Sequence, residues 1–397
     1  MLVVQLKEGR EKALLRGHPW VFSGSIKTID QENGETIAGE TAKIVDAKGE
    51  FLAWGAYSPA SKIRVRVWSR DQGRKIDREF FRARLEKAIR LRRRILDIGE
   101  FNAYRFVHAE SDGLPGFVVD RYADTLVVQF LTCGADYWRN TFVELLGELI
   151  ESERIYERSD VEVRRLEELT PRKGPLVGGD NFSLVRIQEG EINYWVDIRQ
   201  GQKTGFYLDQ RINRSVVRKL AAERTILDCF AYTGGFSVSA LAGGARSVVA
   251  VESSAKAIKL GRENITLNNV SDGNIEWVED DVFQALRRFR DQDMKFDMVI
   301  LDPPKFAPTA AHAQRAARGY KDINLLGLKL LKPGGLLVTF SCSGGVSEDL
   351  FQKILAGAAL DAGVQAKIIN RLGPGADHPV ALNFPEGAYL KGFVIQV

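Results

Sequence analysis

Cysteine is scarce in this 397-residue chain: Cys133, Cys229 and Cys342 lie far apart, are odd in number and fall outside any CxxC spacing. That excludes a disulfide framework and gives no zinc site, so reduced thiols are expected. Histidine is equally sparse. His18, His108, His312 and His378 form no HxxxH pair that would set two imidazoles on one helical face, so no metal is expected. No run of about 18 apolar residues occurs, which argues against a membrane span. The opening MLVVQLKEGREK meets charge too early for a secretory signal, and a cytoplasmic location is expected. The dinucleotide fingerprint GxGxxG is missing, as are internal repeats and low-complexity tracts.

Charge is present in both signs but unevenly placed. Between Lys62 and Arg94 there are 14 Lys or Arg against 4 Asp or Glu, a local +10 in a chain whose formal charge is +4. Much of it lies in FFRARLEKAIRLRRRI, where Phe81, Leu85, Ile89 and Ile95 follow helical spacing and arginines take the other faces. Such a face is either merely solvated or a surface for nucleic-acid phosphates.

Residues 1–72 read as short strands (TAKIVDA, FLAWGAY, KIRVRVWS) cut by turns, which predicts a small β-barrel. Residues 73–188 open with the basic helix and continue through RFVHAESDGLPGFVVDRY, TLVVQFL and the helix WRNTFVELLGELI, an α+β module. TPRKGPLVGGDN, rich in Pro and Gly, reads as a linker. From 189 to 397 the pattern changes. Apolar runs at TILDCF, SVVAVE, IEWVEDD, FDMVILD, GLLVTFSC, AKIINRL and KGFVIQV alternate mostly with helical segments such as SSAKAIKLGRENITLNN, the pattern of an α/β doubly wound sheet.

Ligands of such sheets bind beyond the carboxyl ends of the strands. Here those ends carry acids: Asp228 in DCFAYTGGF, Glu252 placed 24 residues later, Asp280-Asp281, and Asp302 in DPPKF. A Gly-Gly after a strand is usually only a turn, and one acid there is usually only solvated. Four acids converging on one crevice are different, because burying carboxylates together is unfavourable without partners. S-adenosylmethionine supplies them: ribose hydroxyls and amino groups as donors, and a positive sulfonium. A pyrophosphate cofactor would be repelled by an acid in the first turn.

DCFAYTGGFS, VVAVE, DDVF, DPPKF and TFSCSGG, in this order, resemble the S-adenosylmethionine-dependent RNA methyltransferases of the ribosomal large-subunit RNA methyltransferase I family. The likeness extends to GHPWVFSGSI, GAYSPAS, ESDGLPGFVVDRY, VDIRQGQKTGFYLDQR, RGYKDIN, DHPV and FPEGAYLKGF, essentially the whole chain. It implies an N-terminal PUA-like barrel, a middle domain and a C-terminal class I methyltransferase domain with a Rossmann-like, seven-stranded mixed sheet, acting on a cytosine of 23S rRNA. The same likeness implies that Asp228, Phe230, Thr233 and Gly234 line the methionine and sulfonium side. Glu252 would take the ribose hydroxyls, Asp281 the adenine amino group, and Asp302 the boundary between cofactor and base. The segment Lys203–Arg211, with Gln210, would close over the cofactor. A homodimer is left open.

TFSCSGG then separates two chemistries. An exocyclic base amine can attack a methyl group directly once DPPKF orients it. Carbon 5 of cytosine is a poor nucleophile until a thiolate adds to carbon 6. Taken alone, a strand-end cysteine is usually a small buried hydrophobe. Cys342, however, sits among Ser341, Ser343, Gly344 and Gly345, a polar turn beside the DPP strand, and the family likeness makes it the nucleophile. Cys133 and Cys229 read as packing. A second cysteine, which another group of RNA cytosine methyltransferases carries after strand four, is absent from DPPKF. Asp302, Lys305 or water would then take the carbon-5 proton, with His378 a weaker candidate because a lone loop histidine is usually a surface or capping residue, while Arg318 and Lys321 could reach the target nucleotide. The opposing reading is an RNA-binding chain whose enzyme domain is inactive.

Overall fold

A computed structural model describes residues 1–31, 35–179, 184–306 and 313–397, leaving His312 and Asn181 outside the described residues. The chain forms two compact units. The first comprises Met1–Ile187, Val196–Leu208 and Ala376–Gly387; the second comprises Gln188–Trp195, Asp209–Gly375 and Ala388–Val397. Two segments expected in the C-terminal domain, Val196–Leu208 and Ala376–Gly387, thus belong to the first unit.

The first unit holds two sheets. In the six-stranded sheet, Thr41–Val45, Phe51–Tyr57 and Ile63–Ser69 are the strands read from TAKIVDA, FLAWGAY and KIRVRVWS, and alternate residues such as Ala42 and Ile44 are buried. The five-stranded sheet carries the helix Arg78–Ile95. Asp77 caps that helix by accepting from the Phe80 N–H at 3.1 Å. The predicted linker is corrected: Arg172–Val177 is an edge strand, antiparallel to Arg154–Ser159. An edge has hydrogen bonds on one side only, so Gly174 and Pro175 are tolerated there.

The second unit is built on seven strands: β1 Thr225–Cys229, β2 Ser247–Glu252, β3 Ile275–Glu279, β4 Phe296–Leu301, β5 Leu331–Ser341, β6 Lys367–Leu372 and β7 Lys391–Gln396. Their order is β3-β2-β1-β4-β5-β7-β6; the first five are parallel, and β7 is antiparallel to both β5 and β6. The inner strands β1, β2, β4, β5 and β7, covered on both faces, need apolar side chains at nearly every position, which explains why their runs read as continuous, while the edge strands β3 and β6 are partly exposed. The core gathers Leu227, Val251, Val299, Leu337 and Phe393, each at most 1% exposed.

Candidate active site

Parallel pairing brings the carboxyl ends of β1 to β5 to one edge. Register sets Asp228 opposite Ala250 and Ile300, and Glu252 opposite Glu279. Asp280 and Asp281 follow β3, and Asp302 follows β4. The topology therefore brings the acids to one edge of the sheet, at the point where strand order reverses.

The turn after β1 is shaped by backbone conformation. Phe230 (φ 62°), Tyr232 (φ 49°) and Gly234 (φ 78°) all enter the left-handed region, a strained arrangement for the two aromatic residues. At Gly234 a Cβ would also meet the Trp277 ring at 3.2 Å. Glu252 braces this turn: it accepts from the Tyr232 N–H and the Ser254 N–H, both at 2.9 Å. Asn264, fully buried, donates to the Thr233 carbonyl at 3.0 Å.

Asp228 is 1% exposed and accepts from the Ser237 hydroxyl at 2.6 Å through Oδ2, while Oδ1 is buried without a partner. The Thr233 hydroxyl is likewise buried and unpartnered. Burial, chiefly, with the nearby charges of Asp302 and Glu252, pushes the Asp228 carboxyl up to about 7, against the pull of the Ser237 hydrogen bond. Asp281 caps the helix Val282–Asp291 by accepting from the Gln284 N–H at 3.1 Å, and its exposed side chain stands at the end of β3. Gln210, also buried, accepts from the Asn213 amide at 2.5 Å; the Asn213 amide also donates to the Gly373 carbonyl.

At the end of β5, Cys342 is half-buried, and its thiol points to the Pro303 carbonyl of the DPP turn at 3.8 Å. Around it, the Tyr320 hydroxyl meets the Ser343 hydroxyl at 2.9 Å. The other two cysteines are buried packing residues. Burial, with the neighbouring Glu167 charge, raises the Cys133 thiol to about 12, and burial raises Cys229 as well.

Comparison with known proteins fits this geometry. The family model of the S-adenosylmethionine-dependent methyltransferases matches residues 173–379, and that of the PUA-like domain matches residues 4–70. Proteins named ribosomal RNA large subunit methyltransferase I are similar over nearly full length. The Tolumonas auensis protein is 50% identical over 99% of this chain and 98% of its own, and the Klebsiella pneumoniae (strain 342) protein is 47% identical over 99% and 97%. The chain belongs to the S-adenosylmethionine-dependent methyltransferase family. Its fold is shared with a solved Streptococcus mutans chain described as a member of the same class, at TM-score 0.85, 22% identity and full coverage of both.

The crevice of this methyltransferase suits its cofactor. The Asp228 Oδ1 and the Thr233 hydroxyl are buried without partners, and Asp228 feels the charges of Asp302 and Glu252, a repulsion that a cation and hydroxyl donors would relieve. The sign of the Asp228 shift gives a prediction. Raised from 3.8 to about 7, this carboxyl is protonated in the ligand-free chain below neutrality. A cationic ligand favours the carboxylate, so affinity for S-adenosylmethionine should climb by up to about tenfold per pH unit below 7 and level off above it. Asp228→Asn should flatten that climb in calorimetric titrations, and a flat wild-type profile would overturn the assignment. The fold of the ligand-free protein should lose this group's contribution as pH rises from 3.8 towards 7.

Other expected residues are placed elsewhere. Lys321 forms an ion pair with Asp361 at 2.8 Å on the neighbouring helix, so its charge is already engaged, whereas Arg318 is exposed. His378 lies in the first unit, 3% exposed, packed against the His108 ring at 5.2 Å and beside Asp377. Its place in a loop suggested a surface or capping residue; burial corrects that. Among the described residues, no group of three or more His, Cys, Asp or Glu could hold a metal ion, and no helix is long and apolar enough to cross a membrane.

The basic helix of the first unit divides its charges. Arg84, Lys87, Arg90 and Arg94, joined by Arg70, line a cavity of about 410 Å³. Its two carboxylates are already engaged: Glu110 accepts from the Trp20 indole, and Asp112 pairs with Arg92. Burial and the charge of Arg84 hold Arg70 below the usual range, and burial and Arg74 do the same to Arg84. Crowded cations over engaged acids make an anion-attracting wall. Sequence spacing missed Arg92, which is wholly buried, and Lys391, which is 6% exposed at the start of β7. A lone lysine ahead of the apolar run GFVIQV was the available signal for the latter.

Proposed function

We propose that this methyltransferase transfers the methyl group of S-adenosylmethionine to carbon 5 of a cytosine in 23S ribosomal RNA, by way of a covalent Cys342 adduct at carbon 6. The observation that carries the reading is the half-buried thiol of Cys342 against the Pro303 carbonyl of DPPKF, at the sheet edge shared with the cofactor acids. In this reading Asp228, Phe230, Thr233, Gly234, Glu252, Asp281 and Gln210 hold the cofactor, and Asp302 divides it from the base. The bound cofactor supplies an electrophilic methyl group.

Cys342 adds to carbon 6 as the thiolate, and the carbon 5–carbon 6 π electrons shift so that carbon 5 becomes the nucleophile. After methylation a base removes the carbon-5 proton; those electrons restore the double bond and the carbon–sulfur pair returns to sulfur. Asp302, Lys305 or water remains the candidate for that base, while the burial of His378 argues against it. Phe306, the aromatic of DPPKF, packs on Tyr320 with ring centroids 4.8 Å apart, and it is less suited to stacking a base for direct amine attack. The target nucleotide must be unstacked to reach a buried methyl donor, so flanking RNA needs its own holding surface. The cation-lined cavity of the first unit suits that role.

The test is to map methyl groups that the purified chain adds to large-subunit RNA lacking its natural modifications. Methylation at cytosine carbon 5 is expected. Methylation at an exocyclic nitrogen would overturn the covalent route, and no incorporation would favour the inactive RNA-binding reading.

A further inference from the structure

Lys391 is a buried cation that the chemistry above leaves unused. It opens β7, whose register sets it directly across from Ser341, one residue before Cys342. Its ammonium donates to the Ser343 carbonyl at 2.8 Å and to the Val346 carbonyl at 2.5 Å. These bonds clamp the turn that presents the thiol. No carboxylate lies within ion-pair distance of it among the described residues, yet it is 6% exposed. Burying an ammonium against carbonyls alone is costly, and a structure keeps such a group where an anion appears beside it.

We propose that Lys391 is the positioning residue of the Cys342 thiolate: it fixes the turn by two carbonyl bonds and supplies the positive charge against which the sulfur ionises and later departs. The proposal rests on the reading of Cys342 as nucleophile. When Cys342 ionises, its proton passes to water and the pair goes from one net positive charge to none. When the adduct breaks, the electron pair of the carbon–sulfur bond returns to a sulfur already faced by an ammonium, which makes it a better leaving group.

The charges acting on the thiol and its lysine come from several elements. Tyr320 on the helix Ala313–Lys329 and Lys391 on β7 act on the thiol, while Glu348 at the start of the helix Glu348–Ala362 and Lys305 on the DPP turn act on Lys391. Glu348 is exposed and already paired with Arg371, so it is a weak competitor for the lysine's charge. Burial pushes Lys391 down to about 8; Cys342 and Glu348 resist that push and Lys305 adds to it. The charges of lysine and thiol therefore act on each other.

Alkylation of the full-length chain by iodoacetamide, read at the Cys342 peptide by mass spectrometry across pH, tests the pairing without methyl transfer. Wild type should react with a midpoint below the ordinary thiol value of about 8.5. Lys391→Met should slow the reaction at pH 7 about tenfold and raise the midpoint, and Lys391→Arg should keep it low. A wild-type midpoint at or above the ordinary value, or an unchanged rate in Lys391→Met, would overturn the proposal. Should Lys391→Met fail to fold, linkage provides a second measurement. The Lys391 resonance of a carbon-13-labelled chain should titrate lower in Cys342→Ala than in wild type, and an unmoved titration would overturn the pairing. Methyl transfer surviving in Cys342→Ala would instead sink the nucleophile reading, so the two failures are told apart.

Discussion

Cys342→Ala should bind S-adenosylmethionine as wild type does and lose methyl transfer by at least about 10⁴-fold. Binding should survive because the acids proposed to hold the cofactor, Asp228, Glu252 and Asp281, stand on or after other strands, and the substitution removes only a sulfur from a polar turn. Transfer should fail because carbon 5 gains its electron density from addition at carbon 6, and no other described thiol is accessible at this edge: Cys133 lies in the first unit, and Cys229, the last residue of β1, is fully buried. The complementary experiment uses RNA carrying 5-fluorocytosine. Fluorine replaces the proton that must leave carbon 5, so the adduct cannot resolve and wild type should become covalently linked to RNA through the Cys342 peptide. Activity within a few-fold of wild type in Cys342→Ala, together with no adduct, would transfer the chemistry to an exocyclic amine.

The methyltransferase half of the molecule was largely legible in the sequence because its inner strands are covered on both faces. Each apolar run from TILDCF to KGFVIQV is a strand of the observed sheet. The acids at the strand ends were legible for the opposite reason, as polar residues where an apolar run stops. What stayed hidden depends on distant backbone. Lys391 binds carbonyls 45 and 48 residues away, and a carbonyl leaves no mark on the residue type that carries it. Arg172–Val177 passed for a linker because an edge strand, bonded on one side, can hold Pro and Gly. Gln210 and Asp281 show another limit. Each has a local partner, Asn213 and the Gln284 N–H, that would keep it in place whether or not a cofactor is bound.

Arg92→Met should destabilise the first unit by about 3–5 kcal/mol, lowering its melting temperature by roughly ten degrees, while charge reversal at Arg90 and Arg94 should leave melting unchanged. The buried face of the helix Arg78–Ile95 runs through Phe81, Leu85, Ala88 and Ile89 to Arg92, not to Ile95, which is 46% exposed. The Arg92 guanidinium bonds to the Arg105 carbonyl at 3.1 Å, to Asp112 at 2.7 Å and to the Asp377 carbonyl at 2.9 Å. Asp377 in turn accepts from the Arg105 N–H at 3.1 Å, so one arginine ties the helix to its sheet and to the DHPV segment. Methionine fills the volume but leaves the Asp112 carboxylate buried without its cation, the costly half of a broken pair. Arg90 and Arg94 face the cavity instead, exposed and with nothing to lose on removal. Their double reversal to Glu should weaken binding of large-subunit RNA fragments at least tenfold and flatten the dependence of log K on log salt by one to two phosphate contacts, at a slope of about 0.7 to 0.9 per contact. An unchanged salt slope would return the cavity wall to a merely solvated surface, and an unchanged melting temperature in Arg92→Met would remove that arginine from the core. Melting and salt slope together separate the two arginine roles that RLRRR presents side by side, since a loss of RNA binding in Arg92→Met alone would report unfolding rather than recognition.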